Sequence, residues 1–458
     1  AQSVSLPGLR LQGVTLSLGE DGAGAISVRL HADHGDVPAL GWRRLAMNLA
    51  GNLRRDNQLA WTLAGNLKLA NAPGGALSDA QVQIQISPAA NTLLIDILQG
   101  KATVSGALPL DQPSHAQIHL DKLPAGWLQG LLGTVWSGHL TAGRLDGELA
   151  LDLRDPGLRS SGQFSLSGIG FDTPSGTLAG QDLAGTGRFN LDSGSGPTQI
   201  DVDTSLRGGQ LLLGPIYAKL PDHPVLVSLH ASAQAGAVAL SRLRVNDADA
   251  LQLDGALAFD AKGALESLRL DHLHASFPMA YTRYGEAWLD TLGLPDMKIR
   301  GDLDGSLDLR DDVPRSFAFS TDGLDLADAD GRLAVDALRG GLDWAVQGER
   351  PATTLAWRSL KFYRIANGAA QSRWQSRDGM LSLQQPLEVP VLQGQLRIGQ
   401  LDWRPAAARG QRLATSLVVT GVDMAAFSRA MGWPAFPGTL AGAVPSLRWV
   451  DDRLELGG

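Results

Sequence analysis

Three pairs of histidines, His31 with His34, His115 with His119 and His272 with His274, are the first places in this chain to look for metal chemistry. His272 and His274 are two positions apart, and in a strand that spacing puts both rings on one face. They would offer zinc two ligands and leave a third to come from elsewhere. Asp325, Asp328 and Asp330 before Gly331 resemble a calcium loop, but Leu326 and Ala337 fill the first and twelfth positions, where carboxylates are needed. A polar turn is the expectation there. Ser193-Gly194-Ser195-Gly196 lacks the Gly-x-Ser-x-Gly order of a nucleophile elbow and reads as a hairpin turn. Glycoside chemistry would need inward carboxylates, yet Asp302, Asp304 and Asp308 alternate with leucines and belong to the outward face. The residue types point away from an enzyme, and no cofactor or metal is expected.

Composition narrows the partner. The net charge of −8, with no basic stripe, argues against nucleic acid, because phosphate binding needs concentrated positive charge. The absence of cysteine removes disulfides and thiolate chemistry. An apolar fraction of 44 % with 19 % charged residues excludes a disordered chain. No stretch reaches the ~18 consecutive apolar residues of a membrane-spanning helix. The start, Ala1-Gln2-Ser3, is neither an initiator methionine nor a signal peptide, and the expectation is a segment of a longer protein.

The elements that position these residues are strands. Leu45, Met47, Leu49 and Leu53 alternate with polar residues, and after the turn Arg54-Arg55-Asp56-Asn57-Gln58 the alternation resumes at Leu59, Trp61, Leu63, Leu67 and Leu69. Apolar side chains thus share one face of a long antiparallel hairpin. Similar runs recur along the chain, at Leu145–Leu153, Leu251–Phe259, Leu303–Leu309 and Leu342–Val346 among others. Glycine sits repeatedly in the apolar phase: Gly51 between Leu49 and Leu53, Gly65 between Leu63 and Leu67, Gly106 between Val104 and Leu108, and Gly147 between Leu145 and Leu149, with Leu151 next. Gly255 between Leu253 and Leu257, Gly305 between Leu303 and Leu307, and Gly442 after Leu440 continue the series. A strand glycine adds no side chain and often marks a bend or a close approach. Together these glycines predict a curved sheet with room on its apolar side.

Short helical segments precede three of these strands. LPAGWLQGLL (123–132) comes before Gly143-Arg144-Leu145-Asp146-Gly147. Phe277, Tyr281, Tyr284, Trp288 and Leu292, at helical spacing, come before Gly301-Asp302-Leu303-Asp304-Gly305, and Met424–Met431 before Gly438-Thr439-Leu440-Ala441-Gly442. Irregular helix-plus-strand repeats near 123–154, 277–310 and 424–456 therefore punctuate what reads as one continuous segment over 1–458. The tyrosines and Trp288 suit a helix docked on the sheet; the alternative is an interfacial membrane contact.

A one-sided apolar sheet must be covered by helices, a second sheet, itself or a ligand. The helices are few, and inward glycines would leave voids in a sandwich core. A trough filled by acyl chains has neither problem, since each methylene removed from water contributes roughly 0.8 kcal/mol without any specific polar contact. The competing reading is a self-packed structural or adhesive β-solenoid or β-sandwich without lipid.

The Leu-Gly strands, the helices before Gly-x-Leu-x-Gly, and the C-terminal FPGTLAGAVPSLRWVDDRLELGG resemble the AsmA-like superfamily of envelope proteins, nearest its YdbH-like branch and alongside TamB and YhdP. The most family-like positions are Gly438, Leu440, Gly442, Pro445, Arg448, Trp449, Arg453, Glu455, Gly457 and Gly458. The resemblance implies a mainly β, largely antiparallel, β-taco-like groove. It also implies an N-terminal inner-membrane helix not included in this segment, and bridge-like transport of phospholipids across the periplasm of a Gram-negative bacterium to the outer membrane. Open sheet edges make a strand-adding or outer-membrane protein partner plausible. On this reading Trp61 and the leucines and valine flanking the glycines line the groove.

Overall fold

The computed structural model describes residues 3–6, 9–21, 25–38, 41–132, 137–154, 157–214, 216–407 and 409–457, so Gly458 lies outside the described residues. The protein is mainly β, built on long antiparallel strands with a few short helices. None of the described helices is long and apolar enough to cross a membrane. By backbone proximity the chain forms two compact units, Ala1–Arg242 with Asp260–Gly263, and Leu243–Phe259 with Ala264–Gly458.

In the first unit most strands pair antiparallel with the next along the chain. The ladder runs from Thr15–Asp21 and Ala25–Val37 through Trp42–Arg55, Trp61–Ala70, Ala80–Ser87, Thr92–Gln99 and Ala102–Pro109. It continues through His115–Pro124, His139–Arg154, Gly157–Asp172, Leu178–Ser193 and Thr198–Arg207 to Val225–Gln234. Partners in such a ladder share a face. Ile26, Leu53, Leu63, Ile84, Ile95, Gly106, Ile118, Leu149, Gly162, Phe189, Val202 and Leu229 therefore form one row across twelve strands, roughly 50 Å measured along the sheet. Local alternation and long-range register agree, so a single face collects the apolar side chains.

A line of irregularities bends these strands near one end. Register shifts fall between Leu120 and Leu123, Ala142 and Arg144, and Leu166 and Ile169. Positive φ values occur close by at Lys122, Gly143, Gly168, Asp182 and Gly208-Gly209. Bulges increase twist and bend the strand. At Gly208-Gly209 the strand Leu178–Ser193 changes partner, from Thr198–Arg207 to the short strand Gln210–Leu213. The ends that turn over carry Ile169 and Leu183, which pack with Ala125 into a buried cluster.

The second unit repeats this plan. A strand (Leu265–Phe277), a helical turn (Tyr281–Gly285) continuing into a helix (Glu286–Thr291), and three long strands (Lys298–Arg310, Val313–Ala327, Leu333–Ala345) follow in order. Leu333–Ala345 again divides its pairing, between Thr353–Trp357 and Ser359–Phe362, as Leu178–Ser193 does. A short hairpin and a return strand, Ala370–Arg377, complete the copy, as Ile216–Lys219 and Val225–Gln234 do in the first unit. The helix Met424–Met431, followed by Thr439–Val450 and Arg453–Gly457, opens the same order a third time. The opening glycine of each motif has the same left-handed conformation, with φ of +105° at Gly143, +107° at Gly301 and +122° at Gly438. Side chains rarely adopt that backbone, which is why the position is glycine.

Candidate functional site

The candidate site is the apolar face. In the first unit Leu49, Leu53, Trp61, Leu63, Leu67, Val104, Leu108, Leu145, Leu149 and Leu151 all lie on it and are half-buried. Burial is greatest at the bulged end. Along one strand Val82 is 5 % exposed, Ile84 half-buried and Ile86 37 % exposed. The buried base consists of Trp42, Leu45, Leu69, Ala76, Leu77, Leu120, Leu123 and Trp127. Leu77 comes from the loop after Trp61–Ala70, and Trp127 from the helical turn Ala125–Leu128. These segments meet backbone to backbone, since a Cβ on Gly74 would stand 2.7 Å from the carbonyl carbon of Gly126.

The sheet is curled around this plug. A Cβ on Gly41, just before Trp42, would overlap the carbonyl oxygen of Gly130, although Trp42–Arg55 and His115–Pro124 are five ladder steps apart. Five steps on a flat sheet would be roughly 24 Å. The apolar face is thus the inside of a trough, packed by protein at its base and open toward the hairpin turns at the other strand ends.

The glycines act differently from the expectation of room. A Cβ at Gly51, Gly65, Gly147 or Gly255 would overlap, or nearly overlap, a carbonyl oxygen of the adjacent strand, belonging to Ala64, Ala50, Gln163 and Arg269 respectively. There glycine permits close backbone approach in a tightly curved sheet. Gly305 is less crowded, with the Ala318 oxygen 3.2 Å from a Cβ. At Gly106 and Gly442 the space is open. Elsewhere neighbouring aromatics fill the gap: Phe164 faces both Gly147 and Gly187, and its Cζ would lie 2.7 Å from a Cβ on Gly187.

In the second unit Leu253 faces Leu273, which faces Gly305, and Leu257 faces Leu268. Leu303 faces Ala275, and Leu307 faces Leu270 and Phe317. Leu440 and Gly442 lie on a more exposed stretch, Leu440 being 43 % exposed. Next to it Leu454 and Leu456, on a strand paired along one side among the described residues, are 60 % and 70 % exposed.

The outward face carries the polar chemistry and engages it in hydrogen bonds and close polar contacts. His274 Nδ1 lies 2.8 Å from Asp304, and the Ser276 hydroxyl donates to Asp302. His115 pairs with Asp152, His119 with Glu148, and His31 with Asn48 and Asp33. Around the suspected calcium turn, Asp325 accepts from the Ala337 amide and Asp328 from the Leu333 amide and Arg332 Nε, while Asp330 pairs with Arg332. These carboxylates tie the turn between Val313–Ala327 and Leu333–Ala345. Ser193-Gly194-Ser195-Gly196 lies between two paired strands, as a hairpin turn would.

Of the aromatic helix residues, Tyr281 is buried and its hydroxyl accepts from the Met297 amide, Tyr284 donates to Asp247, and Trp288 is 46 % exposed. Tyr281 packs with Met297, Ile299 and Leu324, closing the bulged end of this unit. Nothing in the sequence singled out Arg283, which clamps Asp247 and Asp249. Those acids stand in a plain Asp-Ala-Asp run whose link to the helix is purely spatial.

No family model matches the chain, and neither a curated protein nor a solved structure matches it.

Proposed function

We propose that the chain shelters lipid acyl chains in its apolar trough and serves as one segment of a phospholipid bridge between the inner and outer membranes of a Gram-negative envelope. The observation that carries the reading is the twelve-strand row from Ile26 to Leu229, apolar throughout and half-buried, with Ile118 and Leu149 of the row packed against the fully buried side chains at the base. At roughly 0.8 kcal/mol per methylene such a lining holds an alkyl chain, and sliding along it breaks no hydrogen bond. The resemblance to AsmA-like proteins supports the same reading. Anchoring in the inner membrane by a helix outside this segment, and strand addition at exposed edges such as Arg453–Gly457, belong to it. No catalytic role is assigned.

Native mass spectrometry with lipid extraction on the purified, detergent-free chain tests the reading. Copurifying phospholipid is the expected result. A stable, lipid-free protein would turn the assignment to a self-packed structural or adhesive β protein.

A further inference from the structure

Arg55 puts a positive charge on the apolar face of the first unit. It follows Leu53 in the alternation and stands opposite Trp61, with its guanidinium carbon 5.3 Å from the centre of the Trp61 ring. The row continues through Ile86, Leu93 and Leu108. No other side chain of this row is charged, and none is charged in the adjacent row from Ile26 to Leu229. A guanidinium is costly to take out of water. At the end of its strand Arg55 is exposed and keeps one side wet, while the ring of Trp61 receives the other.

The trough is open beside this pair. Ile86, next to Trp61 in the row, is 37 % exposed and Leu59, in the turn before Trp61, is exposed as well, whereas Leu158 and Ser160 near the same end of the ladder are buried. Along the strand of Trp61 the first side chain to pack on the buried base is Leu67, six residues on and roughly 20 Å away. Half of a bilayer's hydrocarbon core is about 15 Å. Acyl chains lying along this wall therefore bring the attached phosphate to the level of Trp61 and Arg55. A tryptophan at that level matches the boundary between hydrocarbon and headgroup.

The charge of Arg55 is uncommitted. Arg154 and Arg159, at the same end but on the outward face, pair with Asp152 and Asp192, while Arg55 has no ion pair among the described residues. The adjacent Asp56 is occupied by its own turn, accepting from the Gln58 and Ala60 amides. Glu20, an acid in the same phase, stands opposite Ile26, two strands from Arg55. A guanidinium meets a phosphodiester with two parallel hydrogen bonds, a geometry that an ammonium lacks.

We infer that Arg55, supported by Trp61, anchors the phosphodiester of a phospholipid whose acyl chains lie in the first unit's trough. The inference rests on the reading of the trough as a shelter for acyl chains. Native mass spectrometry tests it, with the detergent-free chain offered an equal mixture of phosphatidylglycerol and a diacylglycerol of identical acyl chains. The parent should take up the phospholipid severalfold over the diacylglycerol. Arg55→Gln should abolish that preference and still take up diacylglycerol, and Arg54→Gln, opposite Thr62 on the outward face, should keep the preference. No preference in the parent, its retention in Arg55→Gln, or its equal loss in Arg54→Gln would overturn the anchor and leave the trough reading intact. Inorganic phosphate bound as tightly as the phospholipid, and released by Arg55→Gln, would make this a free-anion site and overturn the lipid assignment. A parent chain that takes up neither lipid would overturn both readings.

Discussion

Arg283 and Asp247 form a buried ion pair, with Nη1 2.8 Å from a carboxylate that has no exposure to solvent. Asp249 accepts from the same guanidinium, and the Tyr284 hydroxyl donates to Asp247 at 2.7 Å. Burial, then the Asp247 carboxylate, pushes the Tyr284 hydroxyl above its ordinary titration range. The network pins the helical turn to the strand end. Arg283→Met should cost about 3 kcal/mol, because it removes the guanidinium from a buried carboxylate. Tyr284→Phe should cost about 1 kcal/mol. Urea unfolding of both variants checks the ranking; equal midpoints for Arg283→Met and the parent would refute it.

Two glycines in the same phase should respond oppositely to a methyl group. Gly65→Ala drives a Cβ into the Ala50 carbonyl, and about 2 kcal/mol of stability should be lost. At Gly106 the nearest atom to a Cβ is the Ile95 oxygen at 3.9 Å, so Gly106→Ala should stay within about 0.5 kcal/mol of the parent. Thermal unfolding of the pair decides whether curvature or spare room governs each site.

A charge in the trough should displace its lipid. Leu63→Asp, Leu149→Asp and Leu307→Asp each place a carboxylate on the apolar face, and copurifying phospholipid should fall severalfold in each. Asp304→Lys, on the outward face beside His274, should leave lipid content unchanged. Circular dichroism establishes that the variants are folded. Undiminished lipid in folded Leu-to-Asp variants would remove the trough from consideration as the binding surface.

Acid should weaken the fold through carboxylates that the folded state favours in ionised form. Asp192 is held below the usual range by Arg159, Asp203 by the Ser228 hydroxyl and Arg188, Asp328 by the Leu333 amide, and Asp336 by Arg358. Their folded values lie below the unfolded value near 3.9, so the stability they add is complete above about pH 4 and is lost as pH falls further. Unfolding midpoints should therefore decline below about pH 4, and less steeply in Asp328→Asn. An unchanged slope in that variant would mean that the Leu333 amide does not stabilise its charge.

Much of the fold was legible in the residues. Alternation at Leu49, Leu53, Leu63 and Leu67 identifies the apolar face because side-chain direction in a strand repeats every two residues, a local property. The helix Met424–Met431 was readable for a similar reason: Asp423 caps it by accepting from the Ala425 and Ala426 amides, and Gly432 ends it at φ +75°. The role of the glycines was not legible. Gly65 and Gly106 occupy the same phase between large apolar neighbours, and only the approach of the next strand makes one crowded and the other open.

The sequence by itself determined the strand alternation, the outward placement of Asp302 and Asp304, and the short helices before each Gly-x-Leu-x-Gly, because all of these depend on residues close together in the chain. The tertiary structure decided that the strands curl around a packed base, that Arg283 meets Asp247, and that Phe317 meets Trp403. Those contacts join positions that no local period relates, and they follow from accumulated twist, bulges and register over many strands, which become determinate only when the whole ladder forms.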